Sequence, residues 1–267
     1  MREKRYITVN SKWRKVELDV DSILYIRMRR EHAEIHLKGD RVCVTRTPYQ
    51  ELKSRLGDGF VEVRRGTLVS VIAIHDLTET INLNDGHTVE YTIRRKKEIE
   101  ANLFQERKKL INHFSKEGVP TTRGAYCEHY QAFEHIPFAF ADIEMIFDEE
   151  CHAVDWLFRY GNEALAKLEK IPLDGLIGNT FGSLFENMDS KWLKGYERAT
   201  LYGETLEMTD YSPEIDTYLK VICFPTFEGH CGCILFDIEN IDFIRSSDDT
   251  ERALMLYFNH YLEECGK

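Results

Sequence analysis

The sequence predicts a two-domain chain, mainly β in its first half and α+β in its second. Three observations lead there. The 267 residues make roughly two units at about 150 residues each, and either half is long enough to bury a core of its own. Hydrophobic residues alternate with period two through most of the first hundred positions, then follow a helical period, then mix the two. The charge divides at the same place. Residues 1–124 carry 25 Lys and Arg against 18 Asp and Glu, a net +7, whereas residues 125–267 carry 10 against 28, a net −18. The overall −11 therefore conceals a basic half, the pattern expected when one domain meets phosphate and the other does not.

In the first half, short strands are expected over Lys15–Val20, Ile23–Met28, Ala33–Leu37 and Arg41–Arg46, with Lys38-Gly39-Asp40 as a turn between the last two. One helix follows. Thr47 is placed to cap it, Pro48 suits the first helical position, Gln50 completes a capping box, and Gly57 ends it. Strand character returns at Phe60–Val63, Thr67–Ile74 and Glu79–Leu83. Asn84-Asp85-Gly86 signals a hairpin turn into a last strand, His87–Ile93, which runs out into Arg94-Arg95-Lys96-Lys97. From Lys97 to Lys116 a helix is expected, with Ile99, Leu103, Leu110 and Phe114 on one stripe. That stripe suits packing on a domain or a dimer seam.

The second half reads as two strands (Phe138–Phe147, His152–Tyr160), then helices (Asn162–Lys170, short helices over Pro172–Phe185 punctuated by Gly175, Gly178 and Gly182, and Lys191–Leu201). Three strands follow: Thr205–Tyr211, Ile215–Pro225 and Cys231–Ile238. This order describes a five-stranded antiparallel sheet with helices on one side. An amphipathic helix is expected to close the chain.

Composition narrows the function classes. No apolar run approaches the roughly 20 residues that span a bilayer, and the charged start leads into no signal segment, so a cytoplasmic protein with no membrane partner is expected. The seven cysteines show no C-x-x-C pair and no zinc spacing, so no metal site is assigned. Cys231 and Cys233 would share one face of a strand simply by alternation. No nucleophile elbow, P-loop, zincin or dinucleotide motif occurs, and no catalytic residues are assigned: the chain does not read as an enzyme.

The run Ile23-Leu24-Tyr25-Ile26, Ile35-His36-Leu37 and Thr47-Pro48-Tyr49-Gln50-Glu51-Leu52 resembles LytTR DNA-binding domains. So do Phe60-Val61-Glu62-Val63-Arg64-Arg65-Gly66-Thr67-Leu68-Val69-Ser70, then Leu83-Asn84-Asp85-Gly86 and Tyr91-Thr92-Ile93-Arg94-Arg95. The resemblance covers about residues 5 to 100. It implies elongated antiparallel sheets with one short helix, whose loops enter successive major grooves of double-stranded DNA. The base-reading positions it implies fall at Arg29, Arg30, Glu31 and His32, at Arg64, Arg65 and Gly66, and at Arg94. Arginine suits such work, since its fork pairs both guanine acceptors or bridges phosphate oxygens. Arg65 and Arg94 are the expected base readers. Arg30, Arg64, Lys96 and Lys97 are expected phosphate contacts, which position without specifying, and Arg95 belongs to the same basic run. The chain departs from the family at Arg64, Gly66, Ser70 and Glu62, positions that bear on which bases are preferred.

The second half resembles PAS domains over about residues 128 to 240, through Phe133-Glu134-His135-Ile136-Pro137-Phe138-Ala139, Trp156 to Ala164, Ile177-Gly178-Asn179-Thr180-Phe181 and the final strands. The resemblance implies a sensor or dimerisation module with a small molecule between sheet and helices. The expected pocket residues are Phe140, Leu165, Phe181, Trp192, Tyr196 and Phe224. No flavin-adduct cysteine motif is present, and no cofactor is assigned.

The domains expected are thus a LytTR-like DNA-binding domain at 1–97, a helical linker at 98–124, a PAS-like domain at 125–240 and a terminal helix at 241–267. The function expected is a one-component transcription regulator, homodimeric on double-stranded DNA and controlled by a small-molecule ligand. A protein-interaction adaptor and a PAS cofactor sensor are the alternatives.

Overall fold

The computed structural model describes residues 5–12, 14–186 and 190–238. The helix expected over 241–267 lies outside the described residues. The chain forms two compact units: the first takes in residues 1–115 and 148–152, and the second the remaining residues of 116–267.

Unit 1 is built from three antiparallel sheets. A strand pair, β1 (Tyr6–Ser11) and β2 (Arg14–Asp19), precedes a five-stranded sheet. The five-stranded sheet holds β3 (Ile23–Arg29), β4 (His32–Leu37), β5 (Arg41–Thr45), β6 (Phe60–Arg64) and β7 (Thr67–Ser70), in the order β5-β4-β3-β7-β6. A smaller sheet holds β8 (Ile74–Leu77), β9 (Ile81–Leu83) and β10 (Thr88–Val89). β3 lies at the centre and is buried on both faces, which is why it reads as a continuous apolar run. Its Ile23 and Ile26 pack with β1, β2 and the first helix, α1 (Tyr49–Leu56). Its Leu24 and Tyr25 pack toward the smaller sheet and the long helix α2 (Lys96–Asn112). Each such side chain, fully buried, contributes about 1.5–3 kcal/mol. Ile99 is fully buried in that second core and Leu103 packs against it. The first part of the expected stripe therefore docks on its own unit.

Four expectations change here. Thr47 does not cap α1. Pro48 is the N-cap, in an extended conformation, and the Thr47 hydroxyl lies 2.8 Å from that of Thr45. The capping box is therefore out of register by one residue. The strand expected over Thr67–Ile74 is broken at Val71–Ala73 by a 3₁₀ turn that passes the chain from the five-stranded to the smaller sheet. The strand expected over His87–Ile93 ends at Val89, because its antiparallel partner β9 begins only at Ile81 and offers nothing further to pair with. Beyond Val89 the chain moves to β6, where the Thr92 amide donates to the Val63 carbonyl at 2.9 Å. Finally, β1 escaped the sequence reading altogether: it is a two-sided strand whose Ile7 and Val9 are buried.

Unit 2 holds one five-stranded antiparallel sheet, in the order β12-β11-β15-β14-β13. Its strands are β11 (Ala139–Phe147), β12 (Ala153–Gly161), β13 (Leu206–Ser212), β14 (Thr217–Pro225) and β15 (His230–Asp237). Between β12 and β13 come α4 (Glu163–Glu169), α5 (Leu173–Leu176), α6 (Phe181–Leu184) and α7 (Ser190–Tyr202). These cover one face over Ala141, Ile143, Val221 and Leu235.

The other face is covered too, against expectation. A short helix, α3 (Arg123–His129), capped by the Thr122 hydroxyl, lays Tyr126 and Tyr130 over Phe140 and Tyr160. Seven residues with Gly124 among them are too few to announce a helix by periodicity. Two buried polar groups tie this segment down. Asp142, fully buried, accepts from the Tyr130 hydroxyl at 2.7 Å, the Thr226 hydroxyl at 2.5 Å and His230 Nδ1 at 2.7 Å. Asn162, buried at the end of β12, caps α4 through the Leu165 amide at 3.0 Å and accepts from the Phe140 amide at 3.1 Å. Its amide nitrogen donates to the Phe133 and Phe138 carbonyls at 3.0 and 2.9 Å. Among the described residues no helix is long and apolar enough to cross a membrane.

Candidate nucleic-acid interface

The basic residues of unit 1 are gathered by backbone contacts at one end of the five-stranded sheet. β3 and β4 are joined by a two-residue turn, with Arg30 in the left-handed region at φ 55°. β6 and β7 are joined by Arg65-Gly66, with Gly66 at φ 76°. The Met28 amide donates to the Gly66 carbonyl at 2.8 Å, so the two turns lie side by side. A Cβ on Gly66 would stand 3.3 Å from the Met28 Cβ, and the positive φ alone disfavours any other residue. The third basic segment joins them through the Thr92–Val63 hydrogen bond on β6, two residues from Arg65.

The expected residues separate by what they touch. Among the described residues Arg30, Arg65, Arg94 and Lys97 have no acidic partner and are exposed. The others are engaged. Arg29 Nε lies 3.4 Å from Glu34, Arg64 Nη1 lies 2.6 Å from Glu90, and Lys96 Nζ lies 3.9 Å from Glu100. These exposed pairs contribute little to stability. Arg95 is different. Its Nη1 donates to the Glu62 carbonyl at 3.0 Å and to Glu98 at 3.1 Å, while Nη2 lies 3.4 Å from the Glu62 carboxylate. The 3₁₀ turn at Ile93–Arg95 points this guanidinium back along β6, where it ties α2 to the sheet. Glu62 also receives Lys53 Nζ at 3.0 Å. Burial alone would raise the Glu62 carboxyl, but the Lys53 ammonium and the Arg95 guanidinium outweigh it and hold the group below the usual carboxylate range.

His32 stands beside a residue the sequence reading passed over. Ala33 pairs with Thr45, so Arg46 emerges at the same end of the sheet, and its Nε donates to His32 Nε2 at 3.2 Å. The signal was present: counting back from the Lys38-Gly39-Asp40 turn in register places Arg46 opposite His32.

In unit 2 the expected pocket residues divide. Leu165, Phe181, Trp192 and Tyr196 line a cavity of about 40 Å³ between sheet and helices. Phe140 and Phe224 do not. Both point to the opposite face, under α3, because each is one position out of phase with the inward residues Ala139, Ala141 and Cys223. Cys223, Cys231 and Cys233 are buried on the inner face, with 3.9 Å between the last two sulfurs.

A β-rich unit that presents paired basic turns at one sheet end has the build of a nucleic-acid reader. Residues 14–104, about a third of the chain, match the family model described as the LytTR DNA-binding domain, and this part of the chain is a LytTR domain. Two solved structures are similar. One is the LytTR DNA-binding domain of a protein described as a methyl-accepting/DNA response regulator from Bacillus cereus, at 14% identity and TM-score 0.34, covering 38% of this chain and 98% of that one. The other is a domain of a sensory box sensor histidine kinase/response regulator from Geobacter sulfurreducens, at 20% identity and TM-score 0.30, covering 46% of this chain and 100% of that one. Among curated proteins none matches the chain.

Proposed function

We propose that the chain is a sequence-specific transcription regulator whose N-terminal domain reads the major groove of double-stranded DNA, under the control of a PAS-like C-terminal unit. One observation carries the reading: three separate basic segments converge at one end of the five-stranded sheet through the Met28–Gly66 and Thr92–Val63 hydrogen bonds. Arg65 and Arg94, exposed and unengaged, are the base readers. Arg30, Arg64, Lys96 and Lys97 hold phosphate, and Arg46 joins them beside His32. The sheet order β12-β11-β15-β14-β13, with helices inserted between the second and third strands of the unit, supports the PAS-like reading, and the cavity between sheet and helices supports an effector site. The protein acts as a homodimer on two repeats, the common arrangement for such readers.

The test is selection from a random duplex pool by the full-length protein at low and near-physiological salt. The expected result is enrichment of two short motifs separated by one or two helical turns. Binding that enriches no sequence and disappears with added salt would leave only the electrostatic attraction to phosphate and would overturn the reading.

A further inference from the structure

The cavity of unit 2 combines aromatic walls, two carboxylates and a buried acceptor that lacks a donor. Trp156, Phe181, Trp192 and Tyr196 line it together with Glu169 and Glu214. Three of the rings form one connected wall, with Trp156 4.4 Å from Phe181 and 5.1 Å from Tyr196 between centroids. Glu214 is half-satisfied. Its Oε2 accepts from the Ser212 hydroxyl at 2.7 Å, whereas its Oε1 is buried and has no hydrogen-bond partner. The Glu169 side chain is half-buried and forms no hydrogen bond or ion pair among the described residues. A buried acceptor without a donor costs about 1–3 kcal/mol, and more when charged. A cation in the cavity would relieve Glu214 and give Glu169, which lines the same cavity, a partner as well.

Resting on the reading of unit 2 as an effector-binding domain, we propose that this cavity takes a short alkylammonium ion, its ammonium group held by Glu169 and Glu214 and its alkyl part against the four aromatic side chains. The size fits. One water-sized occupant needs roughly 10–15 Å³ of such space, so about 40 Å³ accommodates a few heavy atoms. Aromatic faces attract cations, most strongly away from water, and carboxylates accept the N–H donors in charge-assisted bonds. Lys170, next to Glu169 in the chain, donates instead to the Ile215 carbonyl at 3.4 Å.

The chemistry carries a pH signature. Burial, with the Glu214 charge added, raises the Glu169 carboxyl to about 7. The other titratable groups at the cavity are the Tyr196 hydroxyl on α7 and the Cys233 thiol on β15, and burial pushes both upward, so they stay neutral through this range. The empty site therefore keeps a proton on Glu169 near neutrality, and an entering ammonium expels it. Affinity rises with pH up to about 7 and then levels off.

The experiment is a titration of the full-length protein with ethylammonium chloride, read by fluorescence of Trp156 and Trp192. Controls are sodium chloride at equal ionic strength and ethanol as a neutral isostere. The expected result is a saturable change with ethylammonium alone, weakening about tenfold per pH unit below about 7. Glu214→Gln should weaken it about tenfold or more. Glu169→Gln should weaken it similarly and remove the pH dependence, which a merely structural role would leave in place. An equal response to sodium chloride, or binding undiminished in both variants, overturns the proposal. Saturable binding of ethanol in preference to ethylammonium overturns the cation and leaves the effector reading standing. No saturable binding of either overturns the cation and removes the cavity's support for that reading.

Discussion

At the scale of single residues, what separates a reader from a strut is whether a side chain is already engaged. Arg65 emerges from a two-residue turn, exposed and without an acidic partner, so its fork is free for a base. Arg65→Ala should cost about 1–3 kcal/mol on the preferred site and little on random duplex, as competition binding would reveal. An unchanged preference would remove it from the reading role. Arg95 looks equivalent in the sequence, but Glu62 and Glu98 hold it. Adjacent letters in a basic run cannot announce that difference, since it depends on which way a 3₁₀ turn points each side chain. Glu62 adds a pH dependence. Its carboxyl titrates below the unfolded value of about 4.3, so its contribution to stability is complete above that value and is lost as pH falls through the lower folded one. In Glu62→Gln, acid unfolding of the LytTR domain should lose this component and start from a less stable protein at neutral pH. An acid transition unchanged from the parent would discount the Lys53–Glu62–Arg95 cluster.

At the scale of elements, the sequence was legible wherever a strand alternated or a turn needed a special residue. His32–Leu37 buries Ala33, Ile35 and Leu37 and turns His32, Glu34 and His36 outward, as the alternation requires. Gly57 ends α1 at φ 65°, and Gly86 sits at φ 85° in the hairpin turn. Legibility failed where the outcome depended on a partner elsewhere in the chain. The last strand of unit 1 was too long by the residues its partner could not match. The face of Phe140 and Phe224 was misassigned because which side of the sheet counts as inside depends on all five strands at once. Asn162 shows how much one residue can hold at an element boundary. It links β11, β12, α4 and the segment before β11 through four hydrogen bonds. Asn162→Ala removes a helix cap worth about 1 kcal/mol and leaves buried backbone groups unpaired at about 1–3 kcal/mol more. Urea unfolding of the second unit should shift by about 2–4 kcal/mol in total, and a shift below about 1 kcal/mol would mean that water replaces the side chain.

At the scale of the whole molecule, the charge division was the earliest guide and it remains consistent with the architecture. The net +7 of residues 1–124 falls on the half that contains the LytTR domain, while the acidic half folds around a sheet that lines a small cavity. Lys97 is exposed at the start of α2, where a phosphate contact would carry no sequence information. In Lys97→Ala, affinity should fall evenly for all duplexes, and the slope of log affinity against log salt should become shallower by about one. A loss confined to the preferred site would make Lys97 a base reader instead.

The hydrogen bond between Met28 and Gly66 has a bearing on inheritance. Two turns that share it cannot drift separately, because a residue that tilts one displaces the other. Lineages that acquire a new target site are then expected to change positions 29–31 and 64–65 together. Target preference would diverge among descendants in coupled steps and not one base at a time.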